Sequence, residues 1–184
     1  ADLVRLRKLG FAELQMSINR STPEFQTIDL DAKEWLTTII DMGLDPKSII
    51  FEITESLLMS NQESNRQRMR ALRDAGCRIA IDDFGTGYSA LSYLRSFPID
   101  VVKIDRAFVR SIPEEKQECL LLDGIINLVN SLGMSLIIEG VETRDQLAYL
   151  QARQCAFIQG YLFSKPLAFD DLVTYLQRVS THPV

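Results

Sequence analysis

Four acidic residues, Glu52, Asp82, Asp83 and Glu139, and one lysine, Lys103, fall where the hydrophobic pattern predicts that strands end. The adjacent pair lies in the stretch Arg78-Ile-Ala-Ile-Asp-Asp-Phe-Gly-Thr-Gly-Tyr88. Ile79, Ala80 and Ile81 read as the end of a buried strand, with Asp82 and Asp83 at its tip. Gly85 and Gly87 then permit a sharp turn. Two neighbouring carboxylates at the mouth of an apolar strand repel each other, and neither is cheaply buried as an ion. A bound cation resolves that conflict. For either residue alone there is another account: Asp83 or Thr86 could cap a helix expected to begin near Tyr88.

The remaining strand ends decide between the two. They add Asn19, Glu52, Lys103 with Asp105, Glu139 and Gln159. Carboxylate and amide oxygens are hard ligands suited to Mg2+ or Mn2+. Four negative charges against one positive charge leave a deficit that two divalent cations would reverse. Two such ions can clamp an in-line displacement at phosphorus. Lys103 supplies a point charge able to hydrogen-bond an attacking water or a phosphate oxygen. Each residue also has a plainer role. Asn19 could cap the next helix, and Glu52 and Glu139 could pair with arginines at the surface. Asp105 could orient Lys103 or cap the following segment, while Gln159 alone says little. Phe97, Tyr161 and Phe163 fit core packing. Recurrence at successive strand ends outweighs these accounts. A glycosidase using two carboxylates is a third reading, which the Asp82–Asp83 pair and Lys103 disfavour. The one histidine, His182, lies in a polar tail, so histidine-based triads and metal sites are not built from this chain.

The elements that must position these residues alternate. Helices are predicted over 1–9, 25–42 (opened by Thr22-Pro23), 62–75, 88–94, 116–132, 143–153 and 169–179. Strands are predicted over 14–19, 49–54, 77–81, 99–104, 135–138 and 156–158. Strand, helix, strand, helix calls for an α/β fold with parallel strands and helices outside. The polar strand ends recur roughly every 28 residues, close to the roughly 31 per unit of a (β/α)8 barrel, whose active site lies at that face. Six such units would need about 186 residues, and the chain has 184. A TIM-type barrel with about six βα units present is therefore expected. An open doubly wound sheet would also put ligands at strand ends, but no Gly-rich phosphate loop accompanies these strands.

The formal net charge is −5 and no basic cluster appears, which argues against DNA or RNA as a partner. Cys77, Cys119 and Cys155 are far apart in apolar surroundings and read as buried free thiols. No apolar run approaches the roughly 18 residues that span a bilayer.

Taken together, Ser17-Ile-Asn19, Glu52-Ile-Thr-Glu-Ser56, Ile81-Asp-Asp-Phe-Gly-Thr-Gly-Tyr-Ser89, Lys103-Ile-Asp105, Glu139-Gly-Val-Glu-Thr143 and Gln159-Gly-Tyr-Leu-Phe-Ser-Lys-Pro166 carry a resemblance. In this order the chain resembles the EAL family of cyclic di-GMP phosphodiesterases. The resemblance implies a modified (β/α)8 barrel that hydrolyses cyclic di-GMP to linear pGpG with two Mg2+ or Mn2+ ions. It implies Asn19, Glu52, Asp82 and Glu139 as metal ligands, Asp83 as ligand of the second ion, and Lys103 as the group that activates or orients water. Catalysis would then fall to Lys103, Glu139 and Asp83, and substrate contact to Gln159, Asp105, Tyr161 and Phe163. Glu55, Phe84 and Gly85 would couple the loop after Asp83 to a dimer face. A cytoplasmic location, a homodimer, and fusion to a sensory or GGDEF domain, with any inner-membrane anchor outside this chain, follow from the same resemblance. The Glu-Ala-Leu motif itself and the Leu-Arg segment after it are not in the sequence, and Ile138 stands where many members have a small residue. The expectation is an N-terminally truncated EAL domain over 1–184, with open sheet edges that favour self-association or strand swapping. A catalytically silent cyclic di-GMP receptor is the alternative.

Overall fold

The computed structural model describes residues 1–22, 25, 32–59, 62–85 and 91–181. Six strands form one sheet: β1 (Met16–Arg20), β2 (Ile49–Thr54), β3 (Arg78–Phe84), β4 (Val101–Ile104), β5 (Ser135–Ile138) and β6 (Phe157–Ile158). They lie side by side in chain order, and every pairing is parallel. A doubly wound sheet reverses its strand order at a switch point, whereas consecutive order throughout is that of a barrel wall. The fold is α/β of the TIM-barrel kind. The described helices are α1 (Asp2–Lys8), α2 (Ala32–Asp41), α3 (Glu55–Met59), α4 (Gln62–Asp74), α5 (Leu91–Ser96), α6 (Lys116–Ser131), α7 (Arg144–Gln151) and α8 (Phe169–Thr181). The first half of the helix predicted over 25–42, the cap at Thr86, the helix start at Tyr88, and His182 lie outside the described residues.

The two faces of the sheet separate by the period of two that a strand imposes. Phe51, Ile53, Ile79, Ile81, Val102, Ile104, Leu136 and Ile138 join the main core under the helices. There Trp35 of α2 meets Phe51 at 5.5 Å and Phe25 at 5.6 Å between ring centroids, and Arg20 covers Trp35 at 4.5 Å. Such ring pairs add about 1 kcal/mol each beyond area burial. The opposite face carries a small separate cluster of Ile50, Ala80 and Val101 with Ile137 packed against it. These residues form a layer beneath the polar strand ends, because Glu52, Asp82 and Lys103 each stand two residues further along their own strands, and Glu139 stands two residues beyond Ile137, just past the end of β5.

β3 departs from the sequence expectation. It runs through Phe84 instead of ending at Ile81. Its register against β4 shifts between Ile81 and Phe84, so that three residues of β3 span two of β4. This is a β-bulge, and Asp83 sits in it at φ 53°. α7 begins as the sequence predicts. The Thr143 side chain accepts from the backbone N–H of Gln146, and the Gln146 side chain reaches back to the cap, closing a capping box. The cysteines are only partly as expected: Cys77 is buried, while Cys119 and Cys155 are half-buried. Burial, and then the charge of Asp45, push the Cys77 thiol up to about 11, which makes it inert at neutral pH.

Candidate active site

The centre of the site is a buried ammonium shared by three carboxylates. Lys103 Nζ lies 2.9 Å from Glu52 Oε2, 2.9 Å from Asp82 Oδ1 and 2.8 Å from Glu139 Oε1. The register explains how residues so distant in sequence meet. Glu52 pairs with Ala80 across β2 and β3, Ala80 with Val101, and Lys103 with Ile137. In-register residues of parallel strands point the same way, so the next positions, Asp82 and Glu139, rise on the same side. Glu52 and Lys103 are each 5% exposed. Asn19 is in register with Glu52 on β1, and its side chain is exposed there.

The bulge brings in Asp83. On a regular strand, adjacent residues face opposite sides and Asp83 would point into the helical layer. With the extra residue accommodated, one oxygen each of Asp82, Asp83 and Glu139 falls within a 4.8 Å cluster. The electrostatics follow from crowding. Burial raises the Glu139 carboxyl above its ordinary value, Lys103 pulls it back, and Asp82 and Glu52 push it up again. Burial, then the charges of Asp82 and Asp105, raise Asp83, against a smaller opposing pull from Lys103. For Lys103 itself burial favours the neutral form, but the hydrogen bonds it donates to Asp82, Glu139 and Glu52 outweigh it, and the ammonium is held above the usual lysine range. The donor set is all hard oxygen with one cation for four anions. That chemistry fits a hard divalent cation, and the residues the structure brings close enough together to share one are Asp82, Asp83 and Glu139, while Glu52 is held on Lys103 and Asn19 stands outside the cluster.

A cavity of about 560 Å3 opens beside Glu139. That is the size range of small-molecule sites. Of the residues expected to touch substrate, Asp105, Gln159 and Tyr161 line it. Phe163 does not; it is half-buried outside the lining. Asp105 is also a cap, accepting from the N–H of Ala107 at 2.9 Å, and makes no bond to Lys103 among the described residues. Gln159 is fixed through its backbone, donating to Ile138 O at 2.8 Å and accepting from the N–H of Val141 at 3.1 Å. The lining also contains Arg106, Glu142, Lys165 and Tyr175, which the sequence reasoning did not single out. Arg106 directly follows the Lys103-Ile-Asp105 motif, and Glu142 and Lys165 stand inside motifs already quoted, so the signal was present in their neighbours. Lys165 Nζ stands 5.7 Å from the Tyr161 ring centroid.

Of the expected coupling residues, Glu55 opens α3 and is buried at 7% exposure. Neither of its carboxylate oxygens has a hydrogen-bond partner among the described residues. Phe84 is buried, and Gly85 takes φ 94°. The loop that would follow, 86–90, lies outside the described residues.

The chain is similar to known proteins over most of its length. A family model described as EAL domain matches residues 1–166. The cyclic di-GMP phosphodiesterase NbdA of Pseudomonas aeruginosa is 36% identical over 176 residues, covering 96% of this chain and 22% of NbdA. The crystal structure of the EAL domain of Mycobacterium smegmatis DcpA superposes with a TM-score of 0.91 at 34% identity, covering 97% of this chain and 80% of that one. A manganese and cyclic di-GMP complex of Klebsiella pneumoniae BlrP1 superposes with a TM-score of 0.79 at 33% identity, covering 89% of this chain and 42% of that one. The chain spans about a fifth of the length of the curated relatives it matches first.

Proposed function

The chain belongs to the EAL domain family, and from that premise we propose that it hydrolyses cyclic di-GMP to the linear dinucleotide as the catalytic module of a longer signalling protein. The observation that carries this reading is the Glu52, Asp82, Glu139 triad on Lys103 Nζ, with Asp83 brought alongside by the bulge and the cavity adjoining Glu139. Glu52, Asp82 and Glu139, with Asn19 in register beside Glu52, would hold one Mg2+ or Mn2+, and Asp83 would serve a second. Bound divalent cations supply Lewis acidity toward the phosphoryl oxygens and lower the pKa of water.

The chain's own residues do the rest. In the metal-free site three carboxylates hold the Lys103 ammonium above the usual lysine range, and its Nζ is the group placed to activate or orient water at the phosphate. Arg106 and Lys165 give the cavity two cations for the phosphates, and the ring of Tyr161 offers a face for a base.

The test is turnover of cyclic di-GMP by the 184-residue chain with Mg2+ or Mn2+, read as linear product on chromatography. Metal-dependent product abolished by chelation supports the proposal. Nucleotide bound without product points to the receptor role instead, and neither binding nor turnover sinks both. We place the parent protein in the cytoplasm and the working form as a dimer, to be checked by the mass of the species in solution. No described helix is long and apolar enough to cross a membrane.

A further inference from the structure

We propose that the short turn Arg106–Phe108 after β4 is a spacer that sets the distance between the end of β3, which carries Asp83, and the segment after β5, which carries Glu139, and that Phe108 is its main positioning residue. The inference rests on reading those carboxylates as a cation site. β4 lies between β3 and β5, so whatever follows β4 must pass between the two segments.

The turn fills that gap on both sides. A methyl group placed on Gly85 would lie 2.5 Å from Cζ of Phe108, so the ring rests directly on the backbone two residues beyond Asp83. A methyl group on Gly140 would lie 2.2 Å from Cβ of Arg106, so the other side of the turn rests on the residue after Glu139. Both glycines have φ in the left-handed region, 94° and 73°. Neither segment can move toward the turn, because backbone meets side chain with no Cβ to spare.

The spacer is itself anchored. Asp105 caps it through the N–H of Ala107 at 2.9 Å. Val109, fully buried, closes the turn by donating to Arg106 O at 3.0 Å. Gln146, buried at the head of α7, donates its amide to Val109 O at 3.0 Å while accepting from the N–H groups of Glu142 and Thr143. The turn is thus tied to the segment that follows Glu139. Lys103 Nζ supplies the opposing force, drawing Asp82 and Glu139 together from below. An attraction at the base and a steric stop above define a fixed carboxylate spacing, which is what a hard-cation site requires.

Phe108→Ala removes the stop without removing any carboxylate of the site. Crystal structures of the metal-free wild type and variant are compared for the separation of the Asp83 and Glu139 carboxylates. A changed separation is expected, and an unchanged one overturns the proposal. Mn2+ affinity, titrated by the loss of the free-ion electron paramagnetic resonance signal, is expected to fall about tenfold in the variant, the scale seen for groups that orient metal ligands. Phe108→Leu, which keeps much of the bulk, is expected to recover most of that loss, and it serves alone if the alanine variant does not fold. Wild-type Mn2+ affinity in Phe108→Ala, with only the melting temperature lowered, would make Phe108 a packing residue and end the proposal. Failure of the wild type to bind Mn2+ would instead remove the phosphodiesterase reading, and the crystallographic spacing would still decide this one.

Discussion

At the scale of single residues, Lys103 is the group on which the metal-free site depends. Its ammonium satisfies three carboxylates, with its side chain 6% exposed. Lys103→Met leaves those charges buried and uncompensated, a change that costs about 3–5 kcal/mol. Urea unfolding is expected to show that loss without metal and a smaller one with Mn2+, because a divalent cation replaces the missing charge. Equal losses in both conditions would mean that cation and ammonium do not serve the same carboxylates. The protons of the site give a second expectation. Glu139 and Asp83 have folded pKa values above their ordinary 4.5 and 3.8. The folded chain therefore holds more protons than the unfolded one in the window above those values. Their contribution to metal-free stability falls as pH rises through it. Cation binding needs the deprotonated forms, so Mn2+ affinity rises across the same window. Calorimetric titration at a series of pH values checks this; an affinity flat with pH would contradict the shifts. The types and spacing of Glu52, Asp82, Asp83 and Glu139 were enough to expect a hard-cation site. The conformation of Asp83 and the three partners of Lys103 were not readable, since Glu52 and Lys103 stand 51 residues apart and meet only through strand register.

At the scale of elements, local signals were the legible ones. Thr143 reads as a cap from its type and from Gln146 three residues on, and both halves of the box form. Thr143→Ala is expected to cost about 1 kcal/mol in a denaturant titration. The clasp between α6 and the end of α7 was not legible, because it joins residues far apart in sequence, from α6, α7 and the turn after α7. Asp123 of α6 receives Nη2 of Arg153 at 2.9 Å and the Tyr149 hydroxyl at 2.9 Å. The Arg153 hydrogen bond is the main cause that holds the Asp123 carboxyl below its ordinary 3.8, with burial opposing it. A lowered carboxylate contributes stability that is present above its unfolded pKa and lost as pH falls through the folded one. Asp123→Asn is therefore expected to cost about 2 kcal/mol near neutrality and almost nothing in strong acid. A cost that persists in acid would assign the effect to packing. The length of β3 was misjudged for a related reason. Asp82 and Asp83 look like loop residues by polarity, yet Asp82 pairs with Thr54 of β2, Phe84 beyond them pairs with Ile104 of β4, and the charge of Lys103 holds Asp82, so the strand continues through the bulge.

At the scale of the molecule, consecutive parallel order was foreseeable from the alternation of strands and helices, and the site's place at the strand ends follows from it. The same order defines where the sheet stops. Among the described residues β1 and β6 are its two edges. Each leaves one side of its backbone without a neighbouring strand, and Phe157 on β6 is 54% exposed. Unpaired N–H and C=O groups beside an apolar side chain form a template for another strand. The 184-residue polypeptide studied alone is accordingly expected to self-associate, with a mass by light scattering that rises with concentration above the 20.9 kDa of one chain. Phe157→Lys puts a charge on the β6 edge and is expected to shift the equilibrium toward single chains, since edge lysines discourage strand pairing. A wild type that stays at the mass of one chain at all concentrations would mean that both edges are protected by other means. Association that survives the lysine unchanged would place the contact elsewhere, with the exposed Leu120 and Leu121 of α6 the next surface to substitute.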